Sequence, residues 1–353
     1  MTGIVETRDR APFRVGLSAD FRAPDGGIAW GDIGLTELEA AGAEWEFLAP
    51  DEGTLLPEHV DGYDAVLFAA PAVTAQTVSG DRPPRVLARF GVGLDAVDVT
   101  ACTRAGVAVT YTPDGARRAV ATAALTLMLA VQQRLLTKDR LVRTHRWEDK
   151  ILHMGRGLSG RTVGAIGLGG AAAELFAMLA PFGTRNLASD PFRSAEEARA
   201  MGVELVDLDE LARCSDILVV LAPLTATTRG CVDARLLTRM RPGGVLVNVS
   251  RGPIVDTEAL VEALRSGQLA GAGLDVMDPE PLPPGHPLLE LDDVVLTPHA
   301  LAWTDEMASG NGRSAIGSIL DVLAGRRPTH LVNEAVLDSP AFRARSARGD
   351  VAS

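Results

Sequence analysis

The stretch that decides the fold is residues 162–190, TVGAIGLGGAAAELFAMLAPFGTRNLASD. An apolar run at 162–167 leads into a glycine-rich turn, and helix-forming residues follow at 170–180. A second apolar run at 187–189 ends at Asp190. The pattern predicts a strand, a turn, a helix and a second strand, which is the repeating unit of a parallel α/β sheet.

The turn consists of Gly167, Leu168, Gly169 and Gly170. A glycine at the first position permits a tight turn, and one at the third lets backbone N–H groups approach a pyrophosphate. Ala172 occupies the last position of the G-x-G-x-x-G pattern, where the helix packs on the strand. The helix N-terminus adds its positive end. We predict a dinucleotide cradle; the alternative is a glycine-rich turn without a ligand.

Asp190 lies close to the offset of about 20 residues at which an acid binds the ribose of a dinucleotide. A carboxylate there accepts hydrogen bonds from both ribose hydroxyls and repels the additional phosphate of NADP. The sequence therefore favours NAD over NADP. Arg193, three residues later, would weaken that preference. The alternative for Asp190, which precedes Pro191, is a turn-forming aspartate.

The same alternation extends along the whole chain. Further strand-like runs lie at 13–19, 45–48, 65–69, 86–90, 217–221, 245–249, 273–277 and 294–296. Helical spacing predicts a short helix at 35–41, one or two long helices over 117–143, and a last helix at 305–323. So many alternations predict the α/β class with doubly wound parallel sheets. The tail after Asn333 is predicted to be frayed or disordered.

The bulk composition limits the possible partners. The 353 residues carry a formal net charge of −12, which argues against a general nucleic-acid surface but not against an acidic substrate. The three cysteines are widely spaced and lack a C-x-x-C motif, as expected in a reducing compartment. The longest apolar run, at 119–131, is too short for a membrane span of ~20 residues. We predict a cytoplasmic protein of about two domains, with no nucleic-acid, membrane or metal partner.

Three side chains suited to acid–base chemistry lie in the C-terminal half. Arg251 follows a predicted strand, and its planar guanidinium can hold a carboxylate and a carbonyl together. His299 also follows a strand end, and imidazole can donate a proton at neutral pH. Glu280, between two prolines, would favour the protonated imidazole by bonding to it. Together they predict reduction of a 2-keto acid by hydride. The alternatives are a surface arginine, a structural histidine and an ordinary loop acid.

With these residues in place, the chain resembles the D-isomer-specific 2-hydroxyacid dehydrogenases from about residue 85 to residue 333. The most specific segments are NVSRGPIVD at 248–256, LDV at 274–276 running on to EPLP at 280–283, and TPH at 297–299. The resemblance implies that Arg251, Glu280 and His299 are the catalytic residues. It also implies that Asp275 supports the hydrogen bonds of the active site.

The resemblance extends to the binding positions. In the segment RFGVGLD at 89–95 it implies that the backbone N–H groups of Val92 and Gly93 bind the substrate carboxylate. Pro223 and Thr228 would flank the adenosine half of the cofactor, and Asp275 and His299 would also contact it. The alternatives from the residues themselves are a strand that ends in a glycine turn and a plain strand-to-helix loop.

The resemblance further implies a domain layout. A Rossmann NAD-binding domain at 117–299 would be inserted into a flavodoxin-like substrate domain formed by 1–116 and 300–335, with a flexible tail at 336–353. The site would lie in the cleft between them, whose closure excludes water. Family members are commonly homodimers joined through the cofactor domain, with the long helix after residue 117 in the contact.

The sequence departs from the family pattern in three places, the third of which is Trp303 with Thr304. Gly170-Ala171-Ala172 replaces the more usual basic residue, branched residue and glycine, which would weaken NAD binding. Thr122 stands where many members have glutamate. Trp303 stands where small residues are common, and it would either form a wall of the substrate pocket or pack the last helix.

Three functions are compatible with these observations. We expect an NAD-dependent oxidoreductase acting on a D-2-hydroxy acid or 2-keto acid. One alternative is a phosphite-type dehydrogenase on the same scaffold; a formate dehydrogenase would have glutamine at the position of Glu280. Another is a non-catalytic, NAD-sensing binding protein similar to the corepressors that share this fold.

Overall fold

The computed structural model describes residues 12–347, which form two compact units. The first unit contains residues 12–116 and 305–347, and the second is the continuous stretch 117–304. The chain therefore leaves the first unit, completes the second, and returns to the first.

The first unit is built on a five-stranded parallel sheet in the order β2-β1-β4-β6-β7, beside a two-stranded sheet of β3 and β5. Its N-terminal elements are β1 (Phe13–Leu17), α1 (Leu35–Ala40), β2 (Ala43–Phe47), β3 (Thr54–Leu55), α2 (Pro57–Val60), β4 (Ala65–Phe68), β5 (Ala72–Val73), β6 (Val86–Arg89), α3 (Val99–Arg104) and β7 (Ala108–Thr110). The order of the five main strands, 2-1-3-4-5 along the chain, is that of flavodoxin-like sheets.

The second unit is built on seven parallel strands in the order β10-β9-β8-β11-β12-β13-β14. Its elements, including α4, which begins just before the unit, are α4 (Pro113–Gln132), α5 (Leu135–Arg143), β8 (Thr162–Ile166), α6 (Gly170–Leu179), β9 (Arg185–Ser189), α7 (Ala195–Ala200), β10 (Glu204–Leu205), α8 (Leu208–Cys214), β11 (Ile217–Val220), α9 (Ala234–Arg239), β12 (Gly244–Asn248), α10 (Thr257–Arg265), β13 (Leu269–Leu274) and β14 (Val294–Leu296). The strand order reverses between β8 and β11, where sheets of this kind bind ligands.

Both faces of the second sheet are covered, which explains the continuous apolar runs of its strands. On β12, Val245 and Val247 pack into the core that contains Leu127 of α4 and Phe176 of α6. Leu246, between them, points into the opposite core, which α8, α9 and α10 cover. Each central strand thus contributes side chains to two cores, and the interior positions of these strands are apolar. The predicted α/β class with doubly wound parallel sheets is confirmed.

One predicted strand is displaced. The apolar run at 273–277 predicted a strand, whereas β13 begins earlier and ends at Leu274. Leu274 pairs with the last residues of β12 and β14, so both neighbouring strands end at the same level. The N–H of Asp275 still donates to Asn248 O at 3.0 Å. Beyond it the chain turns into a loop, because no partner strand continues.

The returning segment of the first unit contains α11 (Asp305–Leu323) and α12 (Pro340–Ala347). The N-terminal end of α4 and α11 approach closely, since a Cβ on Gly115 would lie 2.3 Å from Asn311 N. Asn333 then joins the segment to the sheet, because its Oδ1 accepts the N–H of Val109 at 2.8 Å.

The prediction of a flexible tail at 336–353 is wrong for residues 336–347. Val336 is fully buried, and Phe342 is only 8% exposed. Arg345 donates from Nη2 to Ala105 O at 2.9 Å. These contacts are with residues far away in the sequence, so the Ala- and Arg-rich composition did not indicate them. Residues 348–353 lie outside the described residues.

Among residues 12–347, no single helix has the length and apolar composition of a membrane span. Only α4 and α5 taken together reach that length and composition, and the two helices are bent by 57° relative to each other. Much of α4 is buried in the core of the second unit.

Candidate active site

The predicted catalytic and cofactor residues of the second unit all follow strand ends. Because the seven strands are parallel, the loops after β8, β9, β11, β12, β13 and β14 leave the sheet at the same edge. These loops contain, in chain order, Gly167–Gly170, Asp190, Pro223 and Thr228, Arg251, Asp275 and Glu280, and His299.

The glycine turn has the shape that a dinucleotide requires. Gly167 has φ of +91°, and a Cβ there would lie 2.8 Å from the backbone of Ala222. Only glycine therefore fits that position. Gly169, by contrast, has open space where a Cβ would lie, and α6 begins after it with no side-chain cap on its N–H groups. A pyrophosphate can reach these N–H groups, so the residues present fit the group.

Asp190 is tied to the glycine turn. Its Oδ2 accepts the N–H of Leu168 at 2.7 Å, and its Oδ1 accepts the N–H of Phe192 at 2.8 Å. Arg193 donates from Nε to Leu168 O at 3.0 Å and lies 3.3 Å from Glu197. The backbone N–H and hydroxyl of Ser194 hold the pKa of Glu197 below its ordinary value. The charge of Arg193 therefore has an ionised partner.

A cavity of about 560 Å³ adjoins Asp190. Its lining residues are Ser189, Asp190, Pro191, Leu205, Val206, Asp207, Leu208 and Glu210. Asp207 and Glu210 thus add two carboxylates beside Asp190. The sequence analysis missed both, because they follow β10, a two-residue strand without a clear pattern. Three carboxylates therefore belong to the lining of this one cavity.

Pro223 and Thr228 belong to one closed loop after β11. The hydroxyl of Thr228 donates to Pro223 O at 2.7 Å and accepts the N–H of Thr225 at 2.8 Å. These bonds fix the shape of the loop.

Arg251 is held by its own segment. Asn248 Nδ2 donates to Arg251 O at 2.9 Å, and Nη1 of Arg251 donates to Ser250 O at 2.7 Å. The next residue, Gly252, touches the following loop, because a Cβ there would lie 1.8 Å from Met277 O. The segment with Arg251 therefore packs directly on the segment that continues to Glu280.

His299 and Glu280 are brought together although they are distant in the sequence. Nδ1 of His299 lies 2.9 Å from Oε1 of Glu280. Both side chains remain partly exposed, at 46% and 36%. Nε2 of His299 makes no hydrogen bond with any residue in 12–347. The carboxylate therefore orients the ring and leaves Nε2 available for a proton transfer.

Asp275 holds the backbone around His299. His299 has φ of +54°, in the left-handed region that residues other than glycine seldom adopt. Its N–H donates to Asp275 O at 2.8 Å. The carboxylate of Asp275 accepts from Thr297 Oγ1 at 2.6 Å and from the N–H groups of Ala300 and Leu301, each at 3.1 Å. Asp275 is only 4% exposed, so these donors are its partners in place of water.

Val92 and Gly93 lie in the first unit, in the loop after β6. The N–H of Gly91 donates to Thr112 Oγ1 at 2.7 Å, and Gly91 O accepts the N–H of Thr112 at 3.0 Å. The N–H groups of Val92 and Gly93 donate to no residue within 12–347. Two consecutive N–H groups without internal partners can receive an anion.

Residues 125–300 match the family model described as D-isomer specific 2-hydroxyacid dehydrogenase, NAD binding domain. Glyoxylate reductase of Korarchaeum cryptofilum is 34% identical over 297 residues, which are 83% of this chain and 90% of that protein. The chain belongs to the D-isomer-specific 2-hydroxyacid dehydrogenase family. The dehydrogenase is also 37% identical over 279 residues to D-3-phosphoglycerate dehydrogenase of Archaeoglobus fulgidus, 79% of this chain and 53% of that one.

A solved structure has the same fold. The TT0316 protein of Thermus thermophilus superimposes with a TM-score of 0.79 at 32% identity, covering 90% of this chain and 99% of that one. Family membership makes this dehydrogenase a nicotinamide-dependent oxidoreductase of the 2-hydroxyacid class. Among the described residues, no group of three or more His, Cys, Asp or Glu could hold a metal ion.

Thr297 is bonded to Asp275 within the candidate site, and the sequence analysis gave it no separate role. It lies in the TPH segment, but its hydroxyl acts on Asp275, 22 residues earlier. No local pattern indicates such a pairing. Trp303, four residues after His299, is 59% exposed. Its role as a pocket wall stays a prediction.

Proposed function

We propose that the protein transfers a hydride between NAD and a D-2-hydroxy acid or 2-keto acid, with Arg251, Glu280 and His299 as its catalytic residues. The observation that carries the proposal is the contact of 2.9 Å between His299 Nδ1 and Glu280 Oε1, on a histidine with an available Nε2. An acid at this position is what reduction of a carbonyl requires.

In the direction of reduction, a nicotinamide cofactor held by Gly167–Gly170 and Asp190 would supply a hydride for the carbonyl carbon. His299 donates the Nε2 proton to the carbonyl oxygen, so that a hydroxyl forms. Glu280 stabilises the protonated ring before the transfer and fixes its orientation. Arg251 binds the carboxylate and carbonyl oxygens of the substrate through its planar fork. In the opposite direction His299 takes the hydroxyl proton.

The choice of NAD over NADP is part of the proposal. It is supported by Asp190 and by the two further acids, Asp207 and Glu210, that line the adjoining cavity. Arg193, the cation that could offset them, is engaged by Leu168 and Glu197. We expect kcat/KM with NADH to exceed that with NADPH at least about tenfold, which corresponds to about 1.4 kcal/mol.

The substrate class is a small 2-keto acid with a free carboxylate. Glyoxylate is the first acid to test, because a relative that is 34% identical over 297 residues is a glyoxylate reductase. Val92 and Gly93 are the proposed carboxylate receptors, since their N–H groups have no partner within the described residues.

The test is oxidation of NADH across a panel of glyoxylate, pyruvate, hydroxypyruvate and larger 2-keto acids. We expect turnover by the wild type and a loss of about 100-fold or more in His299→Ala, the value of a positioned acid. His145→Ala is the matched control, because His145 also has a positive φ, of 56°, but lies outside the site. No turnover by the wild type, or full activity of His299→Ala, would overturn the proposal. Turnover of phosphite alone would support the alternative dehydrogenase.

We also propose a homodimer formed through the second unit. Large apolar side chains are exposed on α5, on the 3-10 helix Trp147–His153 and at the residue after it: Leu135, Leu136, Val142, Trp147, Ile151, Leu152 and Met154. We call them the α5 surface. Exposed apolar patches of this kind mark interaction sites. We propose that a second copy of the chain covers this one. A cytoplasmic location stays a prediction, supported by three free cysteines.

A further inference from the structure

The first support of the substrate loop, residues 90–94, is its bond to Thr112. The peptide between Gly91 and Val92 is fixed because Gly91 O accepts the N–H of Thr112 at 3.0 Å. In a trans peptide the C=O and N–H point in opposite directions. The N–H of Val92 therefore points away from Thr112. Thr112 itself is buried, at 1% exposure, so this support is rigid.

Arg89 grips the same loop at two other points. Its Nη1 donates to Phe90 O at 2.9 Å, and its Nε donates to Gly93 O at 3.2 Å. The guanidinium also lies over the ring of Phe68, with Cζ 5.7 Å from the ring centroid. One half-buried side chain thus joins the first and fourth residues of the loop.

The close approach of Arg89 to Gly91 adds to this arrangement. A Cβ on Gly91 would lie 3.5 Å from Arg89 Nη1, and Gly91 has φ of +140°. The guanidinium therefore lies directly against the loop backbone. A fixed positive charge at this distance also favours an anion on the neighbouring N–H groups.

We propose that Arg89 is a positioning residue for the substrate carboxylate: its guanidinium clamps Phe90 O and Gly93 O, so that the N–H groups of Val92 and Gly93 remain aimed at the anion. The inference rests on the proposed function, since it takes these N–H groups as the carboxylate receptors. Arg89 acts through the loop and adds its charge, and the carboxylate binds the N–H groups.

Lysine cannot replace this clamp fully. The guanidinium presents a planar set of donors in fixed directions, and two of them reach carbonyls on different residues. A lysine ammonium retains the charge but is a compact group on a flexible stem. The variants Arg89→Lys and Arg89→Met therefore separate the charge from the two-point grip.

The kinetic test uses glyoxylate, or whichever 2-keto acid of the panel is turned over fastest. We expect Arg89→Met to raise KM for the keto acid at least about tenfold, the scale of a slightly misplaced contact. The change in kcat should be less than about threefold, and KM for NADH should be unchanged, because the loop and the cofactor cradle belong to different units. The KM of Arg89→Lys for the keto acid should lie between the values of the wild type and of Arg89→Met. Arg104→Met, on the exposed end of α3, is the control.

A second measurement requires no turnover, so it tests the role of Arg89 separately from the proposed dehydrogenase activity. Amide hydrogen exchange at Gly91 and Thr112 reports whether the loop is closed. We expect exchange at both amides to be at least about tenfold faster in Arg89→Met and unchanged in Arg104→Met. If the wild type reduces no keto acid but this change is seen, the proposed function fails and the clamp stands. Unchanged exchange together with unchanged KM would overturn the role of Arg89.

Discussion

At the scale of single residues, Asp275 holds the backbone around His299 through its carboxylate and its carbonyl oxygen. Its carboxylate serves three donors, and its carbonyl oxygen accepts the N–H of His299. These bonds hold a histidine in the left-handed region, which costs about 1 kcal/mol or more. The orientation of the proposed acid therefore depends on a buried neighbour that need not touch the substrate.

Replacing Asp275 by alanine tests this dependence. We expect a loss of about 3 kcal/mol in the free energy of unfolding, because buried donors lose a charged acceptor. Activity should fall as well, since His299 is no longer held. Urea denaturation measures the first effect. Asp233→Ala is the control, because Asp233 caps α9 with a single hydrogen bond. Its replacement should lower the free energy of unfolding by only about 1 kcal/mol. Equal losses in the two variants would contradict the role given to Asp275.

At the scale of elements, the loops after the strands of the second sheet support one another. Gly252, next to Arg251, lies against Met277, and Thr257 at the start of α10 donates to Asp278 O at 2.9 Å. The loop with Glu280 is thus placed by the loop with Arg251. Changing one of them should move the other.

Gly252→Ala is the smallest change that tests this coupling. A Cβ would lie 1.8 Å from Met277 O, so backbone must shift. We expect a destabilisation of about 3 kcal/mol, the upper end for overpacking, and a marked loss of kcat. Thermal unfolding and the NADH assay measure the two effects. Gly157→Ala, which meets nothing within 4 Å, should change neither. Normal activity of Gly252→Ala would show that the loops are independent.

At the scale of the whole molecule, the two units have separate sheets and separate cores. The first unit has the 2-1-3-4-5 strand order and contains the substrate loop; the second has the dinucleotide cradle and the His299–Glu280 pair. The chain crosses between the units twice, at residues 116–117 and 304–305.

The proposed dimer belongs to this scale. Ile151 and Leu152 are 72% and 70% exposed, and they lie within the α5 surface. We expect the wild type to sediment as a dimer and Ile151→Asp/Leu152→Asp as a monomer, because charges at the buried centre of an apolar contact are costly. Leu289→Asp, an exposed leucine outside this surface, should remain dimeric. A monomeric wild type, or a dimer that survives the double substitution, would show that the α5 surface is not the interface.

The sequence by itself determined the α/β class, the glycine turn, the position of Asp190 and the three chemical groups at strand ends. These features depend on local patterns: apolar runs, glycines at fixed spacing and residue types at the ends of runs. Tertiary structure alone decided where β13 ends, that residues 336–345 are packed, and that Asp207 and Glu210 lie beside Asp190. It also decided the grip of Arg89 and the bonds of Asp275. Each of these depends on groups far apart along the chain that only the packed sheets bring together, so no local pattern could predict them.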